Sequence, residues 1–269
     1  MILIKVKEKK MNIDFSKSMT FYEALAIFLS LIGISIPIIK LLWKKWIIKT
    51  KLNFFPNERA LVYFNQSGPY IRIDGVYEAE HKSTSIKNIS LKIVRCRDEE
   101  ILNFTWSSFI SPVNQRMINN YMQTTEAAHP FKIESDNIIC VFTEFCDLSN
   151  TFSRTFKLLT KELFDDIKDI KNAHDNYIDA YETYIKSDAY QNAKREIKKD
   201  FFWSIGEYNL LIEVKYGEKT KTFKYKINLE ENDFKLLEKN IDESLLTPLK
   251  YQYGENLDYY TANIKLLDM

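Results

Sequence analysis

The chain has 269 residues, including 18 Phe and 16 Tyr but only six Gly and six Pro, and this composition excludes a disordered or low-complexity protein. The net charge of +1 is the sum of a basic and an acidic part. Residues 1–51 carry 10 Lys or Arg against 3 Asp or Glu, and the remaining residues carry 28 against 34. The larger part is therefore acidic, which argues against a general nucleic-acid-binding protein.

A long uncharged segment follows a short N-terminal tail, residues 1–20. No side chain from Ala24 to Ile39 is charged, and the apolar character continues to Trp43 with Lys40 as the only charge. Twenty helical residues span about 30 Å, which is the thickness of a bilayer's hydrocarbon core. Lys40 lies near one end, where its long side chain can reach the headgroups.

The segment predicts a transmembrane helix with a basic flank over residues 21–47. Gly33 and Pro37 weaken helices of soluble proteins but are common in membrane-spanning ones. A cleaved signal peptide is disfavoured because Leu41 to Trp46 is bulky and basic, without the small residues of a cleavage site. A buried core helix remains the other alternative.

The basic residues around the span predict its orientation. Four lysines follow it closely: Lys44, Lys45, Lys49 and Lys51. By the positive-inside rule, the C-terminal domain is expected in the cytoplasm, and the sparse, odd set of three cysteines also favours a reducing compartment. The opposite topology remains an alternative.

Residues 52–269 are predicted to form one soluble domain rich in antiparallel strands. A juncture is expected at Asn53–Pro56. Short aromatic or β-branched runs then predict strands at 61–64, 70–73, 86–93, 101–106, 131–133 and 138–145. The clearest hairpin alternates apolar and polar residues over 208–216 and 223–229, with a turn at 217–219.

These patterns predict a mainly β fold with a helical insertion. The expected architecture is an antiparallel β-sandwich, analogous to the immunoglobulin fold, preceded by one transmembrane helix.

The helical insertion is predicted over residues 157–199, as one long helix or a helical hairpin. An apolar and aromatic stripe steps by three or four residues through Leu163, Ile167, Ile170, His174, Tyr177, Tyr181 and Tyr184. The stripe either packs on its own sheet or protrudes and contacts a partner or a second copy. Ser187 is expected to cap a second helix with Gln191 in the reciprocal position. A further helix is expected over 233–246, closed by Pro248.

The sequence offers no recognisable catalytic chemistry. Phosphate-binding loops and the nucleophile elbow are absent as motifs, and the three histidines and three cysteines lack metal-ligand spacing. Carboxylates recur on one helix face at Glu162, Asp165, Asp166 and Asp169, which is more typical of a solvated face than of a metal site. No catalytic residue, cofactor or metal is predicted.

The leading hypothesis is a membrane-anchored, non-enzymatic interaction or sensor protein whose β domain recognises a protein or small ligand. Its expected partners are the lipid bilayer and a second copy or another protein. The alternatives are a subunit of an oligomeric, membrane-perturbing or pore-forming assembly, and an extracytoplasmic binding module.

Overall fold

The computed structural model describes residues 20–43, 49–117, 120–147 and 151–269. Within these ranges it does not describe the side chains of residues 111–117, 120–124, 151, 152 and 162. The chain divides into two units, of which one contains the apolar N-terminal helix and the other is Thr50–Met269. Most of the predicted tail and the flanking residues 44–48 lie outside the described residues.

The apolar segment forms one helix, α1 (Phe21–Leu42), which confirms the predicted N-terminal apolar helix. It begins with a capping box, in which the Glu23 carboxylate accepts a hydrogen bond from the Thr20 amide at 2.8 Å. None of its residues is buried. The residues assigned to the predicted span lie in α1 or cap it, namely Ala24, Gly33, Pro37, Lys40 and Trp43.

Among the described residues, eleven strands form one sheet, and every pairing between them is antiparallel. They are β1 (Lys51–Asn65), β2 (Gly68–Glu80), β3 (Thr84–Arg95), β4 (Ile101–Met117), β5 (Asn120–Ala127), β6 (Phe131–Ile133), β7 (Asn137–Cys146), β8 (Gly206–Tyr216), β9 (Lys219–Leu229), β10 (Thr261–Lys265) and β11 (Leu267–Asp268). The strand order is β10-β1-β2-β7-β4-β3-β8-β9-β11, while β5 pairs with β4 and β6 with β3.

The last two strands bring the two ends of this sheet together. Strand β10 pairs with β1, as in Val62 with Ala262, and β11 pairs with β9, as in Lys226 with Leu267. The sheet is therefore nearly closed and barrel-like. The predicted immunoglobulin-like sandwich is not confirmed, because the strands form one sheet and not two stacked ones. Alternation shows which face of a strand is buried, and a curved single sheet gives the same alternation as a sandwich.

The predicted hairpin is confirmed as β8 and β9. Tyr216 pairs with Lys219 across a two-residue turn, and Gly217 there has a φ of +50°, which favours glycine. Alternate residues of the long strands are buried and form the core of the sheet, among them Leu52, Val62, Ile71, Ile93, Phe104, Phe145, Leu210, Ile212 and Ile227.

Strand β1 starts earlier than predicted, so the expected juncture at Asn53–Pro56 is wrong. Leu52 and Phe54 are buried strand residues paired with β2. Pro56 is tolerated because the register of the β1–β2 ladder shifts between Pro56 and Ala60, and a bulge removes the need for a regular backbone donor.

The close approach of β1 to β2 requires glycine at position 75. A Cβ atom there would lie 2.7 Å from the carbonyl oxygen of Phe55 and 2.7 Å from a ring carbon of Phe54. We expect Gly75→Ala to lower the free energy of unfolding by about 1–3 kcal/mol, because backbone must move to relieve the overlap. Urea denaturation measures this. Ser85→Ala, at an exposed strand position, is the control and should change the value by less than about 0.5 kcal/mol.

Four helices complete the domain: α2 (Thr151–Ala173), α3 (Tyr177–Ile185), α4 (Asp188–Lys199) and α5 (Glu231–Tyr253). The predicted 157–199 segment is thus three helices. Asn176 caps α3 and Ser187 caps α4, where the Ser187 hydroxyl accepts a hydrogen bond from the Tyr190 amide at 3.2 Å. Gln191 does not form the predicted reciprocal hydrogen bond of a capping box. Its side-chain amide instead donates to the Ile185 carbonyl at 2.6 Å.

Helix α5 passes through Pro248, so the predicted helix end there is wrong. Proline removes one backbone donor, but Leu245 and Leu249 on either side of it are fully buried and hold the helix in place. The helix ends at Gly254, whose φ of +70° is a left-handed C-terminal cap.

Candidate functional site

The predicted interaction stripe lies mostly inside the domain. Its buried members are Leu163, Ile167, Ile170 and Tyr184. Its partly buried members are His174, Tyr177 and Tyr181. The Tyr184 hydroxyl donates to the Leu245 carbonyl at 3.0 Å, and the Tyr253 hydroxyl donates to the His174 carbonyl at 2.7 Å. The stripe therefore packs on its own domain. Only its partly buried members could contact a partner or a second copy, and that contact stays a prediction.

A cleft opens between α2, α5 and the turn that joins β1 to β2. Five α2 residues at spacings of three and four share one helix face and line it, namely Ser153, Phe156, Lys157, Thr160 and Phe164. The other lining residues come from α5 and the turn, namely Thr247, Pro248, Tyr251, Gln252, Gln66 and Ser67. The cleft has a volume of about 440 Å³, which is within the range of sites for small organic ligands. We call it the α2–α5 cleft.

The apolar side chains of the α2–α5 cleft differ in exposure. Phe156 is buried, whereas Phe164 is 53% exposed and Tyr251 is 83% exposed. An apolar base with two exposed aromatic rings at its rim is a surface on which a flat molecule can stack.

Polar groups in the cleft are partly committed to their own helices. The Thr160 hydroxyl donates to the Phe156 carbonyl at 2.8 Å, and the Thr247 hydroxyl donates to the Glu243 carbonyl at 3.0 Å. Lys157 is exposed and has no ion-pair partner among the described residues. None of the lining residues that the structure describes is Asp, Glu, His or Cys. Among the lining residues that the structure describes, Lys157 is the one with a charged side chain.

A second groove lies between α2 and α3 and is acidic. Its carboxylates are Asp166, Asp169, Asp179 and Glu182, and its volume is about 660 Å³. The His174 Nε2 atom lies 3.1 Å from the Thr183 hydroxyl oxygen in the same groove. Lys186 also lines it and offsets part of the negative charge.

The structure separates the carboxylates of the predicted helical cluster. Asp166 and Asp169 line the acidic groove, whereas Asp165 lines a different depression on α2. The side chain of Glu162 lies outside the described residues. Within the described part of the chain, no group of three or more His, Cys, Asp and Glu could hold a metal ion.

A third polar cluster joins three strands. The Tyr63 hydroxyl donates to the Glu144 carboxylate, and the Ser108 hydroxyl donates to the same carboxylate at 2.9 Å. Burial and the nearby Glu144 raise the pKa of Tyr63 above its usual range, so the phenol remains a donor. These residues come from β1, β7 and β4, so the cluster links strands across the intervening β2. We therefore assign it a role in stability.

The cysteines are free thiols: Cys96 and Cys140 are exposed and Cys146 is buried. Burial raises the pKa of the Cys146 thiol, which makes it a weaker nucleophile at neutral pH.

Sequence reasoning missed the α2–α5 cleft because its residues are spread from Gln66 to Gln252. One signal was present: Phe164 is a large apolar residue that directly follows Leu163 of the stripe and so points away from the buried face of α2. In comparisons with known proteins, no family model matches the chain, and no curated protein or solved structure matches it.

Proposed function

We propose that this chain is a membrane-anchored, non-enzymatic interaction or sensor protein. In this proposal α1 holds the protein in a lipid bilayer, and Thr50–Met269 recognises a protein or a small ligand. The observation that carries the proposal is a 22-residue apolar helix without a single buried residue. Exposed apolar side chains on this scale are unfavourable in water and favourable in hydrocarbon, and the helix is long enough to cross it.

Two polar side chains of α1 are compatible with a hydrocarbon environment. The Ser30 hydroxyl donates to the Ala26 carbonyl at 2.8 Å, and the Ser35 hydroxyl donates to the Ile32 carbonyl at 3.0 Å. Both hydroxyls are thus satisfied inside the helix, as a bilayer requires. Lys40 lies in the last turn, from which its ammonium group can reach the headgroups.

The α2–α5 cleft supports a binding role more than a catalytic one. Its described lining contains no carboxylate, imidazole or thiol to act as a base or nucleophile. What it provides is a concave, partly apolar surface with a few polar groups, which is the composition of ligand sites.

We further propose that the domain lies in the cytoplasm, on the basis of the lysines that follow α1 in the sequence. The runner-up is an oligomeric, membrane-perturbing assembly. It is favoured by one feature of α1: Ala26, Ser30 and Gly33 are small residues at positions i, i+4 and i+7, on one face where helices can approach closely.

Membrane association tests the proposal. The wild-type chain is expected to sediment with membranes and to resist alkaline carbonate extraction. The double variant Leu31→Lys/Ile34→Lys should be released, because each lysine at the centre of a span costs about 2.5–3.5 kcal/mol. The matched control is Leu158→Lys/Ile178→Lys, which changes two equally exposed apolar residues of the domain and should stay in the membrane fraction.

Soluble wild-type protein would contradict anchoring. An intact mass that lacks the α1 residues would also contradict it, because a cleaved signal sequence gives that mass.

Oligomers of the full chain but not of residues 50–269 would favour the assembly. Orientation is read from a cysteine placed after Met269 in a background without the native cysteines. Its labelling in intact cells by an impermeant thiol reagent would overturn the cytoplasmic placement and favour an extracytoplasmic module.

A further inference from the structure

The α2–α5 cleft combines two exposed aromatic rings with one cation. Exposed apolar residues scattered singly over a surface need no explanation. Phe164 and Tyr251 are different, because they come from two separate helices and line the same cavity. Both rings offer a π face to a flat molecule that enters between the helices.

The charge of the cleft lining is positive. In the described lining, Lys157 is the one charged side chain, and no carboxylate is present there to neutralise its ammonium group. Helix α2 begins at the cleft and α5 ends there, so the partial charges of the two helix ends oppose each other. The sign of the local field is therefore set by Lys157.

Hydrogen-bonding groups surround the same space. The amide side chains of Gln66 and Gln252 lie on two sides of the cleft, and the Ser153 hydroxyl lies on α2, four residues before Lys157. These groups can donate to the oxygens of a charged acid, and hydrogen bonds to an ionised acceptor are the stronger kind.

We propose that the α2–α5 cleft binds a small aromatic anion, a flat ring system that carries a sulfonate, carboxylate or phosphate group. The ring lies against Phe164 and Tyr251, and the acid group lies at Lys157. This inference rests on the proposed function, since it names the class of small ligand that the domain recognises. A cationic ligand is disfavoured here, and the acidic α2–α3 groove is the surface with the opposite charge.

The test compares two ligands of the same shape that differ in charge, naphthalene-1-sulfonate and naphthalene-1-sulfonamide. Equilibrium dialysis against the full chain in detergent, with protein-free detergent as the blank, gives each Kd. The wild-type chain is expected to bind the sulfonate more tightly than the sulfonamide. Lys157→Gln should weaken sulfonate binding by about fivefold and leave sulfonamide binding unchanged, as for an exposed charge pair.

The aromatic residues are tested with both ligands. Tyr251→Ala and Phe164→Ala should each weaken binding of sulfonate and sulfonamide by about tenfold, because the ring contact is common to the two ligands. The control for charge is Lys219→Gln, an exposed lysine beside the β8–β9 turn. This turn lies at the Leu52 end of β1, opposite the β1–β2 turn that lines the cleft. The control for apolar area is Leu158→Ala, an exposed α2 residue outside the cleft lining. Both controls should bind like the wild type.

Several outcomes overturn the inference: no sulfonate binding above the blank, equal loss of both ligands in Lys157→Gln, or unchanged binding in the two aromatic variants. The changed side chains are exposed, so unfolding temperatures within about 2 °C of the wild type are expected and confirm that the fold is intact. Carbonate extraction of the same proteins separates the two proposals. Loss of binding with retained membrane association contradicts the ligand class alone, and release from membranes with retained binding contradicts anchoring alone.

Discussion

Glu243→Ala is expected to lower the free energy of unfolding of the domain by about 3–5 kcal/mol. Glu243 and Lys250 form an ion pair at 2.6 Å on α5, with side chains that are only 9% and 11% exposed. The same Glu243 oxygen accepts a hydrogen bond from the Asp258 amide at 2.7 Å. One carboxylate therefore ties the last turns of α5 to the segment that leads into β10.

The cost arises from what the substitution leaves behind. Burial by itself would lower the pKa of Lys250, but the hydrogen bond and charge of Glu243 outweigh it and raise that pKa, so the lysine is charged at neutral pH. Without Glu243, the mostly buried ammonium group of Lys250 loses its ion-pair partner, and the partly buried Asp258 amide loses its acceptor. Urea denaturation followed by circular dichroism measures the loss.

A control for this prediction lies on the same helix. Glu231 pairs with Lys235 at 2.6 Å, four residues apart, with both side chains mostly exposed. Glu231→Ala should leave the free energy of unfolding essentially unchanged, because water already solvates both charges. The double variant Glu243→Met/Lys250→Met should recover most of the stability, since it buries no unpaired charge. A Glu243→Ala protein as stable as Glu231→Ala would show that water reaches Lys250.

Local patterns in the sequence predicted the elements of this fold well. The uncharged run predicted α1, and strict alternation predicted β3, β8 and β9, since both signals depend on neighbouring residues alone. The two prolines misled for the same reason. Pro248 and Pro56 are breakers by local rules, but burial of Leu245 and Leu249 holds the helix, and a bulge accommodates the strand.

Closure of the sheet depends on pairings that periodicity does not encode. Val62 pairs with Ala262, two hundred positions along the chain, and alternation tells which face of each strand is buried but not which strand lies beside it. The same holds for the α2–α5 cleft, which Lys157 and Tyr251 line together only because two helices pack against each other. A single sequence carries no signal that joins such residues.

Trp203→Ala is expected to lower the free energy of unfolding by about 3–5 kcal/mol, a loss comparable to that of Glu243→Ala. Trp203 lies between α4 and β8 and is 1% exposed. Its ring centroid lies 5.6 Å from that of Tyr208 and 6.4 Å from that of Phe104. The indole thus fills the end of the nearly closed sheet where β8 begins, and alanine would leave a cavity among rigid strands that cannot collapse into it.

The Trp203→Phe variant distinguishes this filling role from a role of the indole N–H group. The Trp203 Nε1 atom is buried and has no hydrogen-bond partner among the described residues. Phenylalanine keeps most of the ring and removes that unsatisfied donor, so the two effects oppose each other and the net cost should be less than about 1.5 kcal/mol. Urea and thermal unfolding, followed by circular dichroism, compare the two variants. If Trp203→Phe is as destabilising as Trp203→Ala, the N–H group has a hydrogen-bond partner, such as a bound water molecule. The cost of losing that hydrogen bond then adds to the cost of the smaller loss of volume.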